Sequence, residues 1–84
     1  MEFKIAAPKD PQLTEIPESL PIWYHGQPTG LSAVLIDGEY CFDLLPDLVS
    51  AYRDGTLIAK PSATVMPTGK RNLTQILLEP VAHP

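Results

Sequence analysis

Along residues 31–59 the alternation of apolar and polar positions changes period without a gap. LSAVLI and EYCF alternate as strands do, LLPDLVSAYR repeats its apolar positions at helical spacing, and TLIA resumes as a short apolar run. Asp37-Gly38 separates the first two segments and is the residue pair of a two-residue hairpin turn. That turn sets a register with Ile36 opposite Glu39, Leu35 opposite Tyr40, Val34 opposite Cys41, Ala33 opposite Phe42 and Ser32 opposite Asp43. Ala33, Leu35, Tyr40 and Phe42 then share an apolar face. Ser32, Val34, Ile36, Glu39, Cys41 and Asp43 share a mixed one, as in a sheet that covers a core on one side only.

After the hairpin, Pro46 suits the first turn of a helix, Asp43 or Asp47 its positive end, and Gly55 a left-handed terminating position. These signals predict a helix over 46–54 with Leu45, Leu48, Val49 and Tyr52 as its packing stripe. Thr56 to Ala59 reads as a buried strand that Lys60-Pro61 brings to an end.

The flanks are less regular. Residues 2–6 alternate, with Phe3 and Ile5 on one side. Residues 7–20 are rich in proline and polar side chains and predict an extended loop with one helical turn over 13–16. Pro21 opens Ile22-Trp23-Tyr24-His25, the densest aromatic cluster, whose alternation buries either Ile22 and Tyr24 or Trp23 and His25. Residues 26–30 follow as a turn. Further on, 63–66 reads as a strand, Pro67-Thr68-Gly69-Lys70 as a type II turn and 73–78 as its partner strand. A helix capped by Asn72, with Gln75 three residues later, competes for that last segment.

Composition narrows the function classes. The chain has 84 residues, 44% of them hydrophobic and 19% charged, which suits one folded domain: a proline-rich strand and loop over 1–20, a core over 21–79 and a tail over 80–84. Ten prolines exclude long helices in both flanks. A net charge of −4 argues against nucleic acid as the main partner. The charge is uneven, with Asp37, Glu39, Asp43, Asp47 and Asp54 set against Arg53 alone, and Lys60, Lys70 and Arg71 outnumbering Glu79 in the tail. One cysteine suits a reducing compartment, and neither a leader-like apolar segment nor a membrane-length apolar run is present in the sequence. The reading is a cytoplasmic protein with no membrane association.

Chemical motifs are sparse. Gly69-Lys70 lacks both the upstream glycine and the following hydroxyl of a phosphate loop. Cys41, His25 and His83 are the soft metal donors, and their spacing fits no compact site, so no metal or cofactor is expected. A thiol and imidazole pair of Cys41 with His25 would be the route to a small enzyme. Tryptophan and tyrosine are the residues most enriched at binding hot spots.

The pattern as a whole therefore predicts an α+β domain, a small mainly antiparallel sheet of four or five strands with one short helix packed on it. The function it points to is a non-catalytic module that binds another protein or a second copy of itself. Trp23, Tyr24 and His25 form one half of that surface, and the acidic hairpin residues Asp37, Glu39 and Asp43 the other. The alternative is nucleic-acid or nucleotide binding by Lys60, Lys70 and Arg71 beside Trp23 and Tyr24.

Overall fold

A computed structural model describes residues 2–81. The elements run β1 (Phe3–Ala6), β2 (Ser19–Tyr24), β3 (Gln27–Ile36), β4 (Glu39–Phe42), α1 (Pro46–Arg53), β5 (Leu57–Val65) and β6 (Arg71–Pro80). All six strands lie in one sheet, in the order β1-β4-β3-β2-β6-β5. Every neighbouring pair is antiparallel except β2 with β6, so the domain is α+β with one short helix on a mixed, curled sheet. The count exceeds the expected four or five because both flanks join the sheet of the central hairpin.

The hairpin forms in the register set by Asp37-Gly38, pairing Ile36 with Glu39, Leu35 with Tyr40 and Val34 with Cys41. Asp37 and Gly38 have φ values of 52° and 81°, the left-handed pair of a type I′ turn. The faces sort accordingly: Ala33, Tyr40 and Phe42 are wholly buried and Leu35 half-buried. A second turn of the same kind, His25-Gly26 with φ values of 52° and 74°, joins β2 to β3. The expected turn over 26–30 is therefore shorter, and strand begins again at Gln27.

Proline explains this and a second difference. Four strand positions are Pro21, Pro28, Pro61 and Pro80, and each sits where the ladders ask for no amide. Pro28 pairs with Trp23 next to the turn, on a stretch of β3 that β4 does not reach. Pro21 immediately precedes the first β2 to β6 pair, Ile22 with Ile76. Val81 donates its amide to the Thr56 carbonyl at 2.9 Å. Alternation from that bond points the amides of Ile58, Lys60 and Ser62 toward β6 and position 61 toward the open edge. Lys60-Pro61 thus does not end the strand, and the two segments expected at 56–59 and 63–66 are one edge strand, with Ile58 exposed rather than buried.

Two bulges adjust the faces, and a threonine hydroxyl closes each. In β3 the register slips across residues 29–31, where Gly30 has φ 85° and Thr29 Oγ1 donates to the Ile22 carbonyl at 2.8 Å. In β6 the slip falls at Thr74, whose Oγ1 donates to the Ser62 carbonyl at 3.2 Å. The extra residue returns Leu73 to the same side as Ile76 and Leu78, and all three are buried. The competing helix over this segment does not form. Asn72 instead accepts a hydrogen bond from Thr14 Oγ1.

The β5–β6 turn also differs from expectation. Gly69 donates its amide to the Met66 carbonyl, so Pro67 and Thr68 are the central residues and Gly69, at φ 88°, follows them. Only Gly69 has positive φ there, which replaces the type II turn by a three-residue loop with a left-handed glycine. Upstream, Arg71 donates to the Gln12 carbonyl and Thr14 to the Arg71 carbonyl, which lays Leu13 parallel to the start of β6. Backbone groups committed to this bridge leave no helical turn over 13–16.

The helix packs beneath the sheet between its two ends. Tyr52 meets Phe3 of β1 edge-on, with ring centroids 4.8 Å apart, and Leu48 and Leu57 join the buried cluster. Arg53 pairs with Glu2 and lies over the Phe3 ring. Asp47 occupies the first helical turn, whereas Asp43 accepts the Glu2 amide at 2.8 Å and so anchors β1. Leu45 is the N-cap and is exposed, leaving Leu48, Val49 and Tyr52 as the stripe. At the other end Gly55 (φ 80°) donates to the Tyr52 carbonyl and Thr56 to that of Ala51, the paired bonds of a Schellman ending.

Tyr40 connects this core to the loop, donating its hydroxyl to the Pro17 carbonyl at 2.7 Å. Burial pushes the hydroxyls of Tyr40 and Tyr52 above the ordinary 10.0. The folded state then keeps its protons to higher pH than the unfolded chain. That contribution is complete below about pH 10 and is lost as pH rises through the folded values. Urea titrations are expected to show Tyr40→Phe destabilised by about 1 kcal/mol at neutral pH. They are also expected to show a shallower loss of stability above about pH 10 than wild type has. An unchanged alkaline limb in the variant would remove Tyr40 from this account.

Candidate functional site

Strand alternation divides the aromatic cluster. Ile22 is wholly buried, Tyr24 packs half-buried against the core, and Trp23 points to the opposite, outer face of the sheet. The choice left open by the sequence is resolved by register: Ile22 lies beside Ile76 and Trp23 beside Leu77. His25 is exposed in the left-handed turn position, its ring 4.1 Å from that of Tyr24.

Around Trp23 the outer face is assembled from three strands. Trp23 pairs with Pro28 on one side and with Leu77 on the other, Lys60 pairs with Leu77, and Ile58 pairs with Glu79. A groove of about 310 Å³ runs between the His25-Gly26 turn and the end of β6, lined by Trp23, His25, Leu77, Glu79 and Pro80. Trp23 and Leu77 are half-buried, and Ile58 is 43% exposed. No strand or helix among the described residues lies over this face.

The acidic half of the expected surface is elsewhere. Asp37 and Gly38 close the far end of β3 from His25 and Gly26, and ten residues of strand separate the two turns. At ~3.3 Å per residue that is roughly 30 Å. The aromatic segment and the acidic hairpin are therefore two surfaces. Asp37 is exposed and Glu39 half-buried on the outer face, while the Asp43 carboxylate is engaged by the Glu2 amide.

The basic residues do not form a patch. Lys60 is on the outer face, Lys70 is in the β5–β6 turn, and Arg71 pairs with Asp10. That ion pair lines a smaller cavity of about 130 Å³ with Pro8, Leu13, Pro61, Ala63 and Leu73. Cys41 is buried on β4 with its thiol 3.8 Å from the Glu39 carbonyl. It sits level with Val34 and Ser19, six residues along β2 from His25, roughly 20 Å away. Cys41 and His25 are thus not brought together. No metal-holding group occurs among the described residues, and His83 lies outside them. No helix among them is long and apolar enough to cross a membrane.

Sequence reasoning did not assign Leu77, Glu79 or Pro28 to this surface, and it set Lys60 beside Trp23 only in the nucleic-acid alternative. A signal for Leu77 was present: Ile76-Leu77-Leu78 is three apolar residues in succession, and a strand with one buried face must send the middle one outward. Glu79, which lines the groove, and Pro28 and Lys60, which share its face, are brought there only through pairing that no local pattern encodes.

No protein-family model, curated protein or solved structure matches the chain.

Because Trp23 is the single tryptophan, its environment is directly readable. Acrylamide is expected to quench its fluorescence in the native state. Trp23→Phe should cost under ~1 kcal/mol in denaturant unfolding, against roughly 2–5 kcal/mol for Ile22→Ala. A quenching-resistant tryptophan would place the ring in the core.

Proposed function

We propose that this protein is a non-catalytic protein-binding module, an adaptor, inhibitor or accessory subunit, that engages a protein partner through the outer face around Trp23. One observation carries the reading: a tryptophan that the fold turns away from its own core, on a sheet face over which no strand or helix lies among the described residues, beside Leu77 and a groove of about 310 Å³. A half-buried tryptophan keeps a fixed orientation at little entropic cost and offers a large apolar area, which is why such residues anchor interfaces. Glu79 and His25 give the groove a polar border that limits what it accepts.

The acidic hairpin is a second, separate contact. Asp37 and Glu39 supply negative potential at the far end of β3, which accelerates encounter with a basic partner more than it tightens the complex. Asp43 contributes to that field while holding β1. Nucleic-acid binding through Lys60, Lys70 and Arg71 has less support, since the three are dispersed and one is paired. The single cysteine favours a reducing, cytoplasmic setting.

Affinity capture from host lysate separates the two contacts. Trp23→Ser is expected to lose a partner that wild type retains. An Asp37→Lys/Glu39→Lys variant should keep it with slower association and a reduced salt dependence. If wild type, Trp23→Ser and the charge variant give the same catch, the outer face is not the binding surface.

A further inference from the structure

The outer face carries its own complement, and from this we infer that it docks on a second copy of the chain. The inference rests on the reading of the Trp23 face as a contact surface and names the occupant. Across β2, β6 and β5 the register places Trp23, Leu77 and Lys60 in one row, with Ile58 and Glu79 in the next row on the same side. An apolar centre is thus flanked by one base and one acid. Neither Lys60 nor Glu79 has an ion-pair partner among the described residues, where the pairs are Arg53 with Glu2 and Arg71 with Asp10.

Two-fold pairing makes use of both charges. When identical faces meet across a two-fold axis, every contact from one copy to the other is repeated in reverse. An axis beside Leu77 brings Leu77 and Trp23 of each copy together at the centre. It also sets Lys60 of each against Glu79 of the other, so two ion pairs form from one base and one acid. A partner unrelated to this chain would need its own acid and base in mirrored positions, whereas a second copy supplies them by symmetry.

The strand edges favour the face over edge-to-edge pairing. β5 is the last strand of the sheet, and Pro61 stands in its middle with its ring nitrogen toward the open side. A copy adding there would meet a missing donor at the centre of the ladder, as on edges protected against pairing. The opposite edge, β1, has only four residues.

Sedimentation equilibrium across a wide range of concentration tests this on the chain alone. Wild type is expected to rise from 9.2 kDa toward twice that mass. Trp23→Ser should remain monomeric while keeping the wild-type circular dichroism. Lys60→Glu and Glu79→Lys should each weaken the dimer roughly fivefold, because each breaks both symmetric pairs. The double variant Lys60→Glu/Glu79→Lys restores opposite charges and should regain wild-type association. A wild type that stays monomeric at the highest concentration, a dimer that Trp23→Ser leaves intact, or a double variant no better than the singles would overturn it. A monomeric wild type that still loses its lysate partner on Trp23→Ser would leave the protein-binding reading standing and reject only the second copy.

Discussion

Three residues of parallel pairing hold this molecule together. β2 and β6 meet only at Ile22 with Ile76, Trp23 with Leu77 and Tyr24 with Leu78. Without that ladder the sheet would be two antiparallel pieces, β1 to β4 and the β5–β6 hairpin, and a two-stranded hairpin is marginal on its own. Ile22 and Ile76 are both wholly buried, so the hydrogen bonds are seated on a desolvated contact between residues 54 positions apart in the chain. Such a pairing must pay the closure entropy of the intervening loop before it gains anything. The helix lies within that loop, between β4 and β5, and the chain after it returns to the sheet so that β6 pairs with β2.

The same ladder determines what the outer face looks like. Once Ile22 is committed to the core beside Ile76, alternation forces Trp23 outward and Leu77 with it. Pro21 ends the ladder on one side, because it has no amide to offer β6. The outward placement of the half-buried Trp23 is therefore a consequence of core pairing, and a change that shifted the β2 to β6 register by one residue would turn Trp23 inward and Ile22 outward. The proposed contact face and the core are coupled through parity, since the strands that build one also build the other.

Prolines and bulges show how a short, proline-rich chain sustains six strands. Pro28, Pro61 and Pro80 stand at positions facing no ladder, so each limits further pairing without breaking the strand it occupies. Thr29 and Thr74 recover, through their hydroxyls, hydrogen bonds to carbonyls at the two register slips. The second slip changes which β6 residues are buried, bringing Leu73 into the cluster that Ile76 and Leu78 already occupy. Both devices depend on groups that meet across strands.

The central block was legible from the sequence because its information is local. Asp37-Gly38 sets a turn, the turn sets a register, and period-two alternation assigns Tyr40 and Phe42 to the core. Pro46 and Gly55 likewise bound the helix, since caps act within a single turn of chain. Asp43 was half legible: its acidity was plain, but its bond to the Glu2 amide joins residues 41 positions apart. What the sequence could not decide was every feature set by long-range pairing. Whether Ile22 or Trp23 faced inward and whether 73–78 was strand or helix were balanced by local propensity, and Pro61 read locally as a strand end although it sits within an edge strand. Tertiary structure settled them, because the gain from desolvating Ile22 against Ile76 and Leu73 against the shared core outweighs the small differences in local preference. It also separated the aromatic segment from the acidic hairpin, which adjoin in the sequence but are held at opposite ends of β3 by the stiffness of one extended strand.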